Sequence, residues 1–327
     1  MSKTTASATL IKATGINRYY GDTQAVKDLS FELNSGDILG FLGPNGAGKS
    51  TSMQILSGTL APDSGSIEIN GIDLIEQPTQ AKQQLGYLPE QPPLYKELTV
   101  NEYLSYTASL RGIKKELQAN AIDTAKQRCG LTDVGSKLIN NLSKGYQQRV
   151  GIAQAIIHNP SVIILDEPTV GLDPIQIQEI RQLITDLGQH HAVIISTHIL
   201  PEVLAVCNRV QIIRQGELVY SNDMQSIATD SQTNQLDLSF KNNPDLNDLE
   251  NIQGLNIAEK LSDTDFCIEL SSDNNEAEQS LNALLSKAVE HNWQPIKMQP
   301  RLRSLEQIFI DLTLHDNSSN TNEDSAG

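Results

Sequence analysis

Apolar and polar positions alternate in several different rhythms along the 327-residue chain. From Leu10 to Leu33 they alternate in twos, which predicts antiparallel strands turning at Gly21-Asp22. Two adjacent tyrosines, Tyr19 and Tyr20, precede that turn, and strand geometry predicts one pointing in and one out. Three runs lack alternation: Asp37–Leu42, Val162–Leu165 and Ala192–Ile195. Such short apolar runs joined by helices predict a parallel sheet covered on both faces. A helix over Ile175–Leu187 lies between the last two, and a buried strand, Gly86–Leu88, is cut off by Pro89. Alternation returns at Ser66–Gly71, after the turn Ala61–Gly65. Thr99 to His158 is mainly helical, with Leu98, Tyr103, Leu104, Leu110 and Leu117 as expected apolar faces. Arg209–Arg214 and Glu217–Tyr220 close this region around Gln215-Gly216.

The rhythm changes after Asp223. Asp223–Asn234 is polar and linker-like, and Leu236, Leu238 and Phe240 then alternate as a strand. Cys267–Leu270 suggests another strand. Leu281, Leu284, Leu285, Ala288 and Val289 fall at helical spacing. Ser304–Gln307 has the form of a capping box opening a helix with Leu305, Ile308, Phe309 and Leu312 inside. The expected organisation is a flexible start over 1–9, a main domain over 10–228 and a small α+β domain over 235–314. The main domain includes a helical part near 95–158, and 315–327 is expected to be a disordered acidic tail.

Composition narrows the function. The net charge is −16, and the chain from Asp230 onward holds 6 Lys/Arg against 18 Asp/Glu, which places −12 there. A basic nucleic-acid footprint is therefore not expected. Three dispersed cysteines argue for a reducing compartment over a disulfide framework or zinc site. No leader is expected at the start, and no stretch approaches the roughly 20 apolar residues of a membrane span.

One loop organises the chemistry. Gly43-Pro44-Asn45-Gly46-Ala47-Gly48-Lys49-Ser50-Thr51 fills every fixed position of G-x-x-x-x-G-K-S/T, between a strand and a helix. Glycines let successive backbone N–H groups point at a phosphate, and the helix start adds positive potential. Lys49 is expected to reach the β- and γ-phosphates of a nucleoside triphosphate, and the Ser50 hydroxyl to ligate Mg²⁺. The apolar strand Val162–Leu165 delivers Asp166 and Glu167 at its end, where open α/β sheets bind ligands. Asp166 is suited to hold Mg²⁺ through water and Glu167 to polarise the attacking water, although such a pair can also be a capped turn. Ser143 and Gly145 open a further helix, and spacing alone makes Ser143 a plain N-cap.

Taken in order, Gly43–Thr51, Leu142–Gln147, Ile164–Pro168, Gly171-Leu172-Asp173 and Ser196-Thr197-His198 resemble the nucleotide-binding subunit of ATP-binding-cassette transporters. The likeness covers about Leu10 to Tyr220. It implies an α/β P-loop NTPase with a RecA-like core, an antiparallel β subdomain and a helical subdomain. Leu142-Ser143-Lys144-Gly145-Tyr146 corresponds to the family's signature loop, usually L-S-G-G-Q, with departures at Lys144 and Tyr146. This variant, with the carboxy-terminal domain, is similar to ATPases of type-2 exporters in the gliding-motility and multidrug-like group. The resemblance implies that Tyr20 stacks on adenine, Asp173 meets a partner subunit and His198 contacts the γ-phosphate. The usual glutamine after the Gly86–Pro89 strand falls on Glu90, with Gln91 next; Glu90 retains the oxygen for Mg²⁺ or its water, not the amide. His190 and His191 match nothing and are expected in a solvated loop.

The same resemblance implies an ATPase using ATP and Mg²⁺. It works as a head-to-tail dimer in which Ser143 and Gly145 of one copy meet nucleotide on the other. A separate membrane permease is moved through the Glu90–Val100 stretch, so the subunit is expected in the cytoplasm, peripheral on the inner face of the cell membrane. A soluble cassette ATPase that moves no substrate is the competing class. Intact Glu167 and His198 argue against a module that binds without turnover.

Overall fold

The structure is a computed structural model that describes residues 8–229, 235–271, 273–300 and 305–314. The described residues separate into two compact units, one holding those up to Met224 together with Leu312–Leu314, the other those within Gln225–Asp311.

The first unit begins with β1 (Thr9–Tyr20), β2 (Thr23–Asn34) and β3 (Ile38–Leu42), followed by α1 (Lys49–Leu56). Next come β4 (Ser64–Ile69), β5 (Ile72–Asp73), α2 (Pro78–Gln83), β6 (Leu85–Leu88), α3 (Val100–Leu110) and α4 (Lys115–Arg128). The rest is α5 (Lys144–Ile156), β7 (Val162–Asp166), α6 (Pro174–Gly188), β8 (Ala192–Thr197), α7 (Leu200–Val206), β9 (Arg209–Arg214) and β10 (Glu217–Asp223). Four strands form an antiparallel sheet in the order β2-β1-β4-β5, and six form the main sheet, β10-β9-β3-β8-β7-β6. In that main sheet only β10 runs antiparallel to its neighbour.

The unalternating runs are explained by a core on each face. Ile163 and Leu165 of β7 and Val193 and Ile195 of β8 enter one core with the helical region. Val162, Ile164, Ala192 and Ile194 enter a second core with the antiparallel sheet. Strand period two therefore sends alternate side chains to opposite faces, and both faces demand apolar residues.

Parallel pairing also decides where the chemistry collects. Leu42 of β3 pairs with Thr197 of β8, Ser196 of β8 with Asp166 of β7, and Leu165 of β7 with Leu88 of β6. The carboxyl ends of four strands thus open on one edge, and each is followed by a segment singled out in the sequence.

Several expectations are corrected. Tyr19 and Tyr20 are both exposed, because register shifts near the end of β1 break the in-out alternation. Leu110 and Leu117 are exposed, whereas Tyr103 and Leu104 enter the helical core as expected, with Val100 and Ala108 beside them. His191 is buried, with Nδ1 donating to the Pro160 carbonyl at 2.7 Å and Nε2 meeting Arg128 at 3.1 Å. Burial pushes its pKa down, which keeps the ring neutral. The linker-like stretch also contains α8 (Met224–Thr229), too short and polar to show periodicity.

The second unit has β11 (Gln235–Phe240), α9 (Leu246–Glu250), β12 (Leu255–Lys260), β13 (Asp265–Leu270), α10 (Asn274–Glu290), β14 (Pro295–Pro300) and the start of α11 (Leu305–Leu314), whose residues from Leu312 belong to the first unit. Its antiparallel sheet has the order β12-β13-β11-β14. Leu238, Phe240, Phe266, Ile268 and Trp293 pack with Leu284 and Ala288 of α10. Leu285 and Val289 are exposed, so α10 buries a narrower stripe than its spacing suggested. Ser304, the expected cap of α11, and the tail 315–327 lie outside the described residues. No described helix is long and apolar enough to cross a membrane.

Candidate functional site

The loop after β3 carries its shape in its glycines. Gly46 and Gly48 have φ of 81° and 101°, and a Cβ on Gly48 would lie 2.4 Å from the Ala25 carbonyl oxygen. Only glycine fits there without moving backbone. Lys49, at the first turn of α1, is 6% exposed, and its ammonium donates to the Gly43 and Pro44 carbonyls at 2.9 and 3.2 Å. The lysine is thereby folded back over the loop.

β7 supplies the acids. Asp166 is 2% exposed and accepts hydrogen bonds from Ser196 and, at 3.4 Å, from Ser50. Burial pushes its carboxyl up, and those two hydroxyls pull it back. Glu167 follows with φ of 47°, a left-handed backbone that costs a non-glycine residue roughly 1–2 kcal/mol. Its N–H is held by Ser196, through the carbonyl at 3.1 Å and the hydroxyl at 3.2 Å. The bend aims the Glu167 carboxylate at two cations or donors, Lys49 Nζ at 3.5 Å and His198 Nδ1 at 3.0 Å. A carboxylate only accepts, so Nδ1 of His198 carries a proton and Nε2 is left for another partner.

Lys49, Glu167 and His198 line a cavity of about 560 Å³, and Asp166 is not among its walls. Its walls include Tyr20, Asn45, Gly46, Gly48, Lys49, Ser50, Thr51, Glu90, Glu167 and His198, with Ala25 and Val170 added by the fold. Tyr20 offers a ring at the rim, with the Arg18 guanidinium 5.2 Å from its centroid. Glu90 faces the cavity, whereas Gln91 is not among its walls. Donor loop, lysine, hydroxyl and paired carboxylates suit a triphosphate with a hard divalent cation, whose ligands are oxygens. Ser50, Asp166 and Glu90 supply such oxygens beside this cavity.

Ser143, Gly145 and Asp173 are not among these walls. Ser143 is the N-cap of α5, its hydroxyl accepting from Tyr146 N at 3.4 Å, and Asp173 caps α6 through Gln176 N at 2.9 Å. The two caps are adjacent, because a Cβ on Gly145 would lie 2.7 Å from the Gln176 side chain. Arg149 of α5 and Glu179 of α6 add an ion pair at 2.7 Å. Lys144 reaches back over its own chain, its ammonium 2.1 Å from where a Cβ on Gly171 would stand.

Sequence reasoning missed the buried hydroxyls and carboxylate behind the cavity, Thr169, Thr197 and Glu202. Only Thr197 lay within a quoted motif, and nothing in the spacing ties it to the other two.

Comparison with known proteins adds lineage to this geometry. Residues 26–170 match the ABC transporter family model. The bacitracin transport ATP-binding protein BcrA of Bacillus licheniformis is 41% identical over 214 residues, 65% of this chain and 69% of that protein. The linearmycin resistance ATP-binding protein LnrL of Bacillus subtilis is 31% identical over 308 residues, covering 93% of this chain and 98% of that one. Among solved structures, the bacterial ABC transporter cassette MJ0796, a dimer, superposes with a TM-score of 0.60 at 25% identity, over 66% of this chain and 99% of that one.

Proposed function

The chain belongs to the ABC transporter family of ATP-binding proteins, and from that premise we propose that it is the ATP-hydrolysing subunit of a type-2 exporter. One observation carries the hydrolytic reading: the Glu167 carboxylate sits between Lys49 and His198 on the wall of the phosphate-loop cavity. Phosphoryl transfer asks for positioning and charge neutralisation more than for covalent help. Backbone N–H groups of Asn45–Lys49 hold the phosphates, and Tyr20 stacks on the adenine. Lys49 leaves Glu167 for the β- and γ-oxygens, which frees the carboxylate to orient the attacking water. His198 turns the ring N–H that Glu167 holds to the γ-phosphate. Ser50, Asp166 and Glu90 would hold Mg²⁺, which would supply charge neutralisation at the phosphate oxygens.

Ser143, Gly145 and Asp173 lie outside the cavity walls, which supports a dimer in which they serve the partner's nucleotide. MJ0796, a cassette of the same fold, is dimeric. ATP binding then closes two copies head to tail, and a separate permease takes up the motion through Glu90–Val100. The cytoplasmic face of the membrane is the corresponding location. A drug-type export role is favoured by the names of the bacitracin and linearmycin relatives, the second of which aligns through the carboxy-terminal unit as well. A soluble cassette that moves nothing is the second reading.

The test has two arms. Mg-ATP turnover by the full chain, abolished in Glu167→Gln with nucleotide binding kept, supports the site; unchanged turnover rejects it. Co-expression with a candidate permease, followed by ATP-dependent transport in vesicles, separates exporter from soluble ATPase.

A further inference from the structure

Behind the cavity lies a buried carboxylate to which the reaction above gives no role. Glu202, on the first turn of α7, is 3% exposed. Its Oε1 accepts from the Thr169 hydroxyl, and its Oε2 accepts from the Thr197 hydroxyl at 2.7 Å. Both threonines are buried as well, at 3% and 0% exposure. Taking a carboxylate out of water is costly unless its oxygens are satisfied, and here both oxygens are engaged by hydroxyls.

What matters is where those hydroxyls stand. Thr169 lies two residues after Glu167, in the turn where Val170 N donates to the Glu167 carbonyl at 3.3 Å. Thr197 is the last residue of β8 and directly precedes His198; its hydroxyl also accepts from Ile199 N at 3.1 Å. One carboxylate therefore grips the segment after Glu167 with one oxygen and the segment at His198 with the other. Across the same gap the Glu167 and His198 side chains meet at 3.0 Å. The left-handed φ of Glu167 needs neighbours that hold it, since such backbone persists only where its surroundings over-determine it.

We propose that Glu202 is a positioning residue for ATP hydrolysis, a clasp that fixes the Glu167 turn against the His198 strand end through Thr169 and Thr197. The proposal rests on the reading that Glu167 and His198 serve turnover. Glu202 itself is not among the cavity walls; it acts through Glu167 and His198, which are.

The test is a mutant cycle on the full chain, with kcat and KM for Mg-ATP and an equilibrium nucleotide Kd for each variant. Glu202→Leu should lower kcat about 10²-fold, the loss expected when reacting groups are misplaced by about an ångström. KM and Kd should stay within about threefold, because the phosphate loop is untouched. Glu202→Gln, which keeps one acceptor oxygen, should recover most of the rate. In the His198→Ala background, followed by single-turnover phosphate release, Glu202→Leu should add less than about threefold, since residues acting as a unit are not additive. A multiplicative loss in both backgrounds, or an unchanged kcat, overturns the clasp. Should Glu202→Leu fail to fold, Thr169→Val and Thr197→Val carry the same cycle. Normal turnover in Glu167→Gln and His198→Ala would reject the underlying reading. Inactivity of those two with full activity in Glu202→Leu rejects the clasp alone.

Discussion

The phosphate-loop cavity and the paired helix starts at Ser143 and Asp173 belong to the same unit, yet they are built differently. The cavity is assembled from the ends of four parallel strands, so its groups arrive from distant sequence and converge on one edge. The helix starts are local. Ser143 and Asp173 each satisfy an N–H of their own helix, and Gly145 lets the two helices close on each other. The first region presents charges already engaged with one another, Lys49 and His198 on Glu167. The second presents capping oxygens and backbone at two helix N-termini. The contrast is between charges gathered from distant strands in the cavity and local caps outside its walls; on the function proposed above, the first reacts and the second serves a partner copy.

The largest expected effect comes from breaking the first region. Glu167→Gln removes the charge that orients water and should lower turnover about 10²–10⁴-fold. Nucleotide binding should persist, and sedimentation with Mg-ATP should show a stabilised dimer. Near wild-type turnover would remove Glu167 from the chemistry.

Next comes the division of labour itself. Ser143→Arg should inactivate a homodimer, as should Lys49→Ala. Mixed subunits form some heterodimers with one intact composite site and one doubly damaged one, so activity should partly return. Without recovery in verified heterodimers, the two regions do not share a nucleotide.

A smaller effect separates the site's histidine from those of the frame. His158 donates through Nε2 to the Leu85 carbonyl at 3.1 Å, and burial, with help from Arg111, pushes its pKa down to about 4. Above the unfolded value of about 6.5 both states are neutral and the native state keeps its full stability. As pH falls from there toward 4, the unfolded chain takes up a proton that the native chain refuses, so stability is lost over that window. The urea midpoint should therefore drop between pH 7 and 5, and less steeply in His158→Gln. An identical slope in the variant would show that the buried ring does not titrate as argued.

How much the sequence made legible depends on distance along the chain. The phosphate loop is contiguous, and its glycines declare a backbone that Cβ atoms would block, so its residues could be named in advance. Asp166 and Glu167 could be singled out because they directly follow the apolar run Val162–Leu165, whereas His198 was singled out only through the family resemblance. Glu202 was not, since its acceptor pairing with Thr169 spans 33 residues and depends on how two loops meet. His191 was misjudged for the same reason: its burial needs Pro160, 31 residues away, and Arg128, 63 away. Periodicity reports which face a residue takes, and only tertiary packing decides whether that face is covered, as exposed Leu285 and Val289 show.

The smallest expected effect tests the boundary between the two regions. Lys144 replaces a glycine of the usual signature loop. Its neighbour in the structure is the backbone at Gly171 of the same chain, with the lysine itself exposed. An exposed ammonium is screened within about 8 Å at physiological salt and contributes on the order of 0–1 kcal/mol to a pairing. Lys144→Gly in the Glu167→Gln background should therefore weaken ATP-driven dimerisation no more than about fivefold, the equivalent of about 1 kcal/mol. The difference should fade as salt rises, because mobile ions reach an exposed charge. Gly171→Ala pushes from the other side: it strains a φ of 72° and sets a methyl where the ammonium rests. If the lysine braces that loop, Gly171→Ala should cost less dimer affinity when Lys144 is already glycine. A large, salt-insensitive loss from Lys144→Gly would instead place the ammonium at the sandwiched phosphate and extend the chemistry of the cavity into the helix starts.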